Sequence, residues 1–128
     1  MPLRVELVST DAAPKAIGPY SQAVVAGELV FVSGQIALDP ATGEMVTDSF
    51  EAQVKRALTN VGAVLQAAGS GLTRVVKVNV YLTDMDRFAA FNQIYSQYFG
   101  EHRPARAVVQ VSALPRGAQV EVEAVAAL

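Results

Sequence analysis

From Phe50 onward apolar residues recur every three or four positions, at Phe50, Val54, Ala57, Leu58, Val61, Val64, Leu65 and Ala68. That spacing gathers them into one stripe along an α-helix. Asp48 followed by Glu51 resembles a capping box, in which each side chain satisfies a free backbone N–H of the first turn. Gly69 can supply the left-handed residue that closes the helix. A second stripe, Phe88, Phe91, Ile94, Tyr95 and Tyr98, opens at Asp84 or Asp86 and stops at Gly100. Elsewhere the pattern is that of strands, over 3–8, 23–26, 29–36, 75–82, 105–111 and 119–126. Gly27-Glu28 suits a two-residue hairpin, Leu114-Pro115-Arg116-Gly117 a turn, and Pro14, Gly18 and Pro19 keep residues 10–20 irregular. The order β-β-β-α-β-α-β-β predicts an α+β fold with two helices on one face of a mixed or antiparallel sheet.

Alternation across the strands gives that sheet a second face of a different kind. In the final strand Val120, Val122, Ala124 and Ala126 share one side, and Gln119, Glu121 and Glu123 the other. The same parity places Ala107, Val109 and Val111 apart from Arg106, Val108 and Gln110. In 75–82 it sends Val76, Val78, Val80 and Leu82 toward the helices, and Lys77, Asn79 and Tyr81 away from them. The second face is therefore expected to be mixed rather than fully solvated, and to be covered. On spacing alone, Arg106, Glu121 and Glu123 also read as an ordinary exposed ion-pair network.

Length and charge narrow the classes. The 128 residues are read as a single domain, 1–128. Apolar residues make up 52% and charged residues 17%, against roughly 25% charged in an average soluble protein. Weakly polar surface is thus expected to be hidden between subunits. A net charge of −2 and a pI near 5.3 give no general attraction to phosphate backbones, so broad binding to nucleic acid has no compositional support. The absence of cysteine excludes disulfides, thiolate nucleophiles and thiolate metal sites, and agrees with a cytoplasmic location. No basic segment followed by an apolar run opens the chain, and no stretch has the length of a membrane span, so a soluble protein without membrane partners is expected. His102 is the single histidine and lacks a ligand cluster, so it reads as a loop residue and no metal is expected.

Three ordered blocks then carry a resemblance. Ala13-Pro14-Lys15-Ala16-Ile17-Gly18-Pro19-Tyr20-Ser21-Gln22-Ala23 comes first, and Val32-Ser33-Gly34-Gln35-Ile36 second. The third joins Arg103-Pro104-Ala105-Arg106, Leu114-Pro115 and Val120-Glu121-Val122-Glu123-Ala124. Together they resemble the RidA (reactive intermediate deaminase, or YjgF) family over nearly the whole chain. The resemblance implies a chorismate-mutase-like fold and a homotrimer whose sheets close into a central barrel, with active-site clefts between neighbouring subunits. It implies cofactor-free hydrolysis of 2-imino and 2-enamino acids, such as 2-iminobutanoate and 2-iminopropanoate, to 2-keto acids and ammonia.

Residue by residue, Arg106 matches the arginine that binds the substrate carboxylate, a task that suits a planar guanidinium able to donate two parallel hydrogen bonds. Its rival role is a salt bridge to a glutamate. Glu121 matches the group that engages the attacking water, although Glu123 shares its face and parity does not choose between them. Tyr20 matches an active-site tyrosine, or else caps the Gly18-Pro19 turn. Ser33 and Gly34 match a segment whose backbone approaches substrate, with a β-bulge as the competing reading of the glycine. Asn92 matches a pocket position on the second helix, where an exposed asparagine is also commonplace. Val108 stands where some members carry cysteine, a change expected to affect pocket lining more than chemistry. Two other activities stay open: an endoribonuclease or translation inhibitor, and a non-catalytic regulator or chaperone that binds keto acids in the same clefts.

Overall fold

A computed structural model describes residues 2–128 of the chain. The strands are β1 (Val5–Val8), β2 (Ala23–Ala26), β3 (Leu29–Gln35), β4 (Val75–Leu82), β5 (Ala105–Gln110) and β6 (Val120–Ala127). The helices are α1 (Phe50–Ala67) and α2 (Phe88–Phe99). The six strands form one sheet in the order β1-β2-β3-β6-β4-β5. All neighbours run antiparallel except β4 and β5, which α2 joins as a parallel pair. This is the mixed α+β architecture that the alternating periods predict.

The amphipathic stripe of α1 buries Val54, Ala57, Leu58, Val61, Val64 and Leu65 completely. They pack with Val78, Val80, Leu82, Val120, Val122 and Phe91 in one core between helices and sheet. Each large side chain so buried contributes roughly 1.5–3 kcal/mol relative to exposure. Two polar side chains on the same helix hold the sheet's surroundings. Asn60 Nδ2 donates to the carbonyls of Ile36 (3.1 Å) and Leu38 (3.0 Å), and Gln53 Oε1 accepts from the Gln119 N–H (2.9 Å).

The helix ends show one correction. Ser49, not Asp48, is the N-cap of α1: it is extended (φ −166°, ψ 166°) and its Oγ accepts from the Ala52 N–H at 3.0 Å. The capping residue stands one position later than the Asp48/Glu51 spacing suggests. At the other end Gly69 adopts φ 87°, its N–H donates to Gln66 O (3.0 Å) and the Ser70 N–H to Leu65 O (2.8 Å). Those two bonds are the Schellman closure expected of that glycine.

Two strand faces also differ from simple parity. In β4 a register shift between Val75 and Lys77 buries Val75 and leaves Val76 47% exposed, so Val76 does not join the core. In β5 the parallel register pairs Arg106 with Val78, Val108 with Val80 and Gln110 with Leu82. Arg106, Val108 and Gln110 therefore lie on the helix side, while Ala105, Ala107 and Val109 share the outer side with Lys77, Asn79 and Tyr81. β5 is an edge strand, only partly covered by α2, so neither of its sides carries a clean apolar signal. Phe88, expected in the apolar stripe of α2, is 39% exposed at the rim beside β5.

The cap assignment yields a stability test. Ser49→Ala should cost about 1 kcal/mol in chemical denaturation, and Asp48→Ala less than about 0.5 kcal/mol.

Candidate functional site

The irregular stretch 10–20 folds over the end of β3 because one side chain gathers it. Gln22, 5% exposed, donates from Nε2 to Pro14 O (2.7 Å), Thr10 O (3.1 Å) and Ala13 O (3.3 Å), and accepts from the Thr10 N–H (2.7 Å). Within the loop the Tyr20 hydroxyl accepts from the Ile17 N–H at 3.3 Å, and the Tyr20 N–H donates to Gly18 O at 2.8 Å. The turn-capping reading of Tyr20 thus describes its contacts within the chain, and the ring stays 47% exposed at the mouth of a cleft.

That cleft brings together Tyr20, Gly34, Glu121 and the chain from Pro14 to Ile17. Gly34 lies in a β-bulge, where the β3–β6 register shifts between Val32 and Gln35. The bulge reading is correct, and the group that closely approaches the glycine is the Glu121 side chain. A Cβ at Gly34 would stand 2.8 Å from Cδ of Glu121 and nearer still to Oε1, so only glycine leaves the carboxyl its place. Ser33 is spent on the backbone: its Oγ donates to Ser21 O at 2.6 Å, tying β3 to the loop's exit.

The structure separates the two glutamates that parity leaves equal. Glu123 Oε1 accepts from Tyr81 Oη (2.8 Å) and Asn79 Nδ2 (3.1 Å), while Glu121 accepts no hydrogen bond among the described residues and reaches over Gly34 into the cleft. Burial, and secondarily the negative Glu123 beside it, push the Glu121 carboxyl above the ordinary carboxylate range. The hydrogen bond to Glu123 likewise raises the Tyr81 phenol.

Arg106 belongs to a different place. Its Nη1 donates to Asn92 Oδ1 at 2.7 Å, and its guanidinium carbon lies 4.8 Å from the Tyr95 ring centre and 5.7 Å from that of Phe88. Asn92 and Tyr95 are three residues apart on α2 and so face the same strand. Among the described residues the ion pair is Arg4–Glu6 on β1 and the segment before it, and none of their carboxylates neutralises Arg106. The exposed Arg106–Glu121–Glu123 network is therefore not formed. Val108, next but one along β5, packs against the core instead of lining either cleft.

The sheet thus splits the expected site residues into two groups. Glu121 pairs with Tyr81 on the outer face, and Arg106 pairs with Val78 on the helix face. Tyr20, Gly34 and Glu121 meet; Arg106 and Asn92 meet; the two groups do not meet within one chain. No grouping of three or more His, Cys, Asp or Glu side chains able to hold a metal occurs among the described residues.

Residues 10–128 match the family described as endoribonuclease L-PSP. The chain belongs to the RidA (YjgF) family. A RutC family protein of Pyrococcus abyssi is 51% identical over 121 residues, spanning 94% of this chain and 95% of that protein. A protein of Capra hircus named 2-iminobutanoate/2-iminopropanoate deaminase is 50% identical over 120 residues, spanning 94% and 88%. RidA from the Antarctic bacterium Psychrobacter sp. PAMC 21119 superimposes with a TM-score of 0.93 at 45% identity, covering 96% of this chain and 99% of that one.

Two contributors to this RidA-family site escaped sequence reasoning. Gln22 enters the sequence reading only as part of the first motif block, although a glutamine preceding a run of strand residues and following a proline-rich loop is a candidate to satisfy that loop's carbonyls. Tyr95 is buried in the core, as its place in the stripe of α2 predicts, and in addition lies under Arg106; its spacing of three from Asn92 was the available signal for that second role.

Two outcomes follow from the geometry. Gly34→Ala, whose added methyl meets only the flexible end of Glu121, should leave the fold's denaturation midpoint nearly unchanged while displacing the carboxyl. A displacement of that size costs on the order of 10²-fold in turnover where the carboxyl acts. Followed by carboxyl NMR, Glu121 should titrate above the ~4.3 of an unperturbed glutamate. Glu123→Gln should lower that midpoint without normalising it, because burial remains.

Proposed function

We propose that the chain hydrolyses 2-imino and 2-enamino acids, with the enamines first tautomerising to imines, in a site completed by a neighbouring copy of itself. The observation that carries this reading is the un-neutralised Arg106, held flat by neutral partners on the face of the sheet opposite to Glu121. A fixed guanidinium without an acid is prepared for an acid from outside. Glu121, raised in proton affinity and free of protein donors, is suited to hold a water and take its proton.

In the proposed reaction Arg106 grips the substrate carboxylate through two parallel hydrogen bonds. Water held by Glu121 adds to the imine carbon and gives its proton to the carboxylate. The C–N bond of the resulting carbinolamine breaks, nitrogen collects the protons and leaves as ammonia, and the oxygen stays as the 2-keto group. Tyr20, at the mouth of the Glu121 cleft, can hydrogen-bond substrate or water; Asn92 fixes the guanidinium; the Ser33-Gly34 backbone leaves room. Nothing in the sequence calls for a cofactor. The deaminase name carried by relatives about 50% identical supports the same chemistry.

Because the two groups of residues are split between faces, the site requires Arg106 of one copy beside Glu121 of another. The outer face offers surface for such an assembly: Phe31 and Val109 are each 45% exposed there, next to Lys77, Asn79 and Tyr81. A homotrimer is the proposed form.

A ribonuclease reading is favoured by the family's own description, but the chain's single histidine does not serve it. His102 Nε2 is engaged with Val75 O at 2.6 Å, and the side chain lines neither cleft.

Purified protein should accelerate loss of 2-iminobutanoate generated in a coupled assay. Arg106→Ala should reduce the acceleration to background, and Arg106→Lys, which keeps charge but loses the fork, by about 30- to 100-fold, the worth of a charge-assisted bond. Turnover unaffected by either change would refute the carboxylate clamp. Keto-acid binding that depends on Arg106 without any turnover would indicate a regulator. Sedimentation should report three chains of 13.5 kDa per particle.

A further inference from the structure

The Arg106 cleft holds more positive charge than one carboxylate needs. Arg103 borders it too, with Pro104 between the two arginines and Asn92, Tyr95 and Ser96 from α2 opposite; among the described residues of the same chain no acidic side chain lines it, and the neighbouring copy's contribution is the Glu121 assigned to the water. Neither guanidinium has a carboxylate partner among the described residues. Two un-neutralised guanidiniums converge, therefore, in a chain whose net charge is −2.

Arg103 is also held in place. Its Nη1 donates to the carbonyls of Gly100 and His102 (3.2 Å to the latter) just past the end of α2, where carbonyl dipoles favour a cation. Its Nε and Nη2 make no hydrogen bond among the described residues. Pro104 fixes the backbone between the arginines, which limits how far they can part. On the α2 wall of the same cleft, the Tyr95 hydroxyl is buried with no hydrogen-bond partner among the described residues. Both guanidiniums act on that phenol, opposing the rise in its proton affinity that burial causes. Two guanidiniums on one cleft, each held by neutral partners, are the environment of an anionic ligand.

We propose that Arg103 is a specificity-determining residue and that the preferred substrate carries a second carboxylate, as a 2-imino acid of a four- or five-carbon diacid. This rests on the reading of Arg106 as the clamp for the first carboxylate. One guanidinium saturates with one carboxylate. The second adds only like-charge repulsion unless another anion arrives, and a side-chain carboxylate two or three carbons away supplies it within the same cleft.

The test uses stable keto-acid products as probes on the intact protein. Calorimetry compares 2-oxoglutarate, a diacid, with 2-oxobutanoate, a monoacid of similar chain length. The wild-type protein should bind the diacid at least about tenfold more tightly. Arg103→Gln should remove that preference while leaving 2-oxobutanoate within about twofold, and Arg103→Lys should retain part of it. Equal affinity for both acids in the wild type, or equal weakening of both by Arg103→Gln, overturns the proposal while leaving the clamp intact. If Arg106→Gln leaves both affinities unchanged, or the wild type binds neither acid, the clamp itself is wrong and the proposal falls with it. An exposed side chain such as Arg103 is not expected to affect folding, and the monoacid affinity of each variant reports directly that the cleft is formed.

Discussion

A guanidinium lying on a tyrosine ring, with an asparagine as its hydrogen-bond partner and no carboxylate partner among the described residues of its own chain, is the contact around which the functional account turns. Tyr95 and Phe88 favour a cation over their faces, and Asn92 takes one nitrogen at 2.7 Å. These partners fix Arg106 without cancelling its charge. Had β5 been paired one residue out of register, Arg106 would stand on the outer face beside Lys77 or Asn79, away from the Asn92 and Tyr95 that hold it. The parallel β4–β5 pairing is therefore as much a part of the site as the arginine.

The opposite half depends on steric economy. A bulge in β3 puts a glycine beneath Glu121, and the missing side chain lets the carboxyl enter the cleft. Gln22 holds the 10–20 loop over the same place with hydrogen bonds to three of its carbonyls. Glu123, two residues along the strand, is engaged by Tyr81 and Asn79, which leaves Glu121 as the carboxyl without a donor. Neutral hydrogen-bonding partners around the one charge and an empty position around the other make the two halves complementary to a small anion and a water. The proposed assembly is what brings those halves face to face.

Much of this was legible in the amino-acid order. Helix α1 announced itself by an 18-residue stripe, the Gly27-Glu28 hairpin and the Gly69 stop by turn chemistry, and β6 by strict alternation with a buried face on every second residue. Periodicity failed where packing is one-sided. β5 has Ala105, Ala107 and Val109 pointing outward and an arginine pointing toward a helix, so hydrophobicity inverts the true orientation. The β4 bulge displaced Val76 for the related reason that one inserted residue flips parity. Motif resemblance named Arg106, Glu121, Tyr20 and Gly34 and favoured Glu121 over Glu123, but parity could neither divide them between two faces nor give a physical reason for that choice, because both depend on register and on what lies under each side chain.

The division between faces makes subunit mixing the most direct measurement. Arg106→Ala and Glu121→Gln chains, each inactive alone, would be unfolded together, refolded as mixed particles and assayed for imine hydrolysis. If each site joins Arg106 of one copy to Glu121 of another, random assembly leaves both groups intact at about one interface in four, and activity should return to about that fraction of wild type. Activity remaining at the level of the separate variants, in particles shown to be mixed, would contradict a shared site.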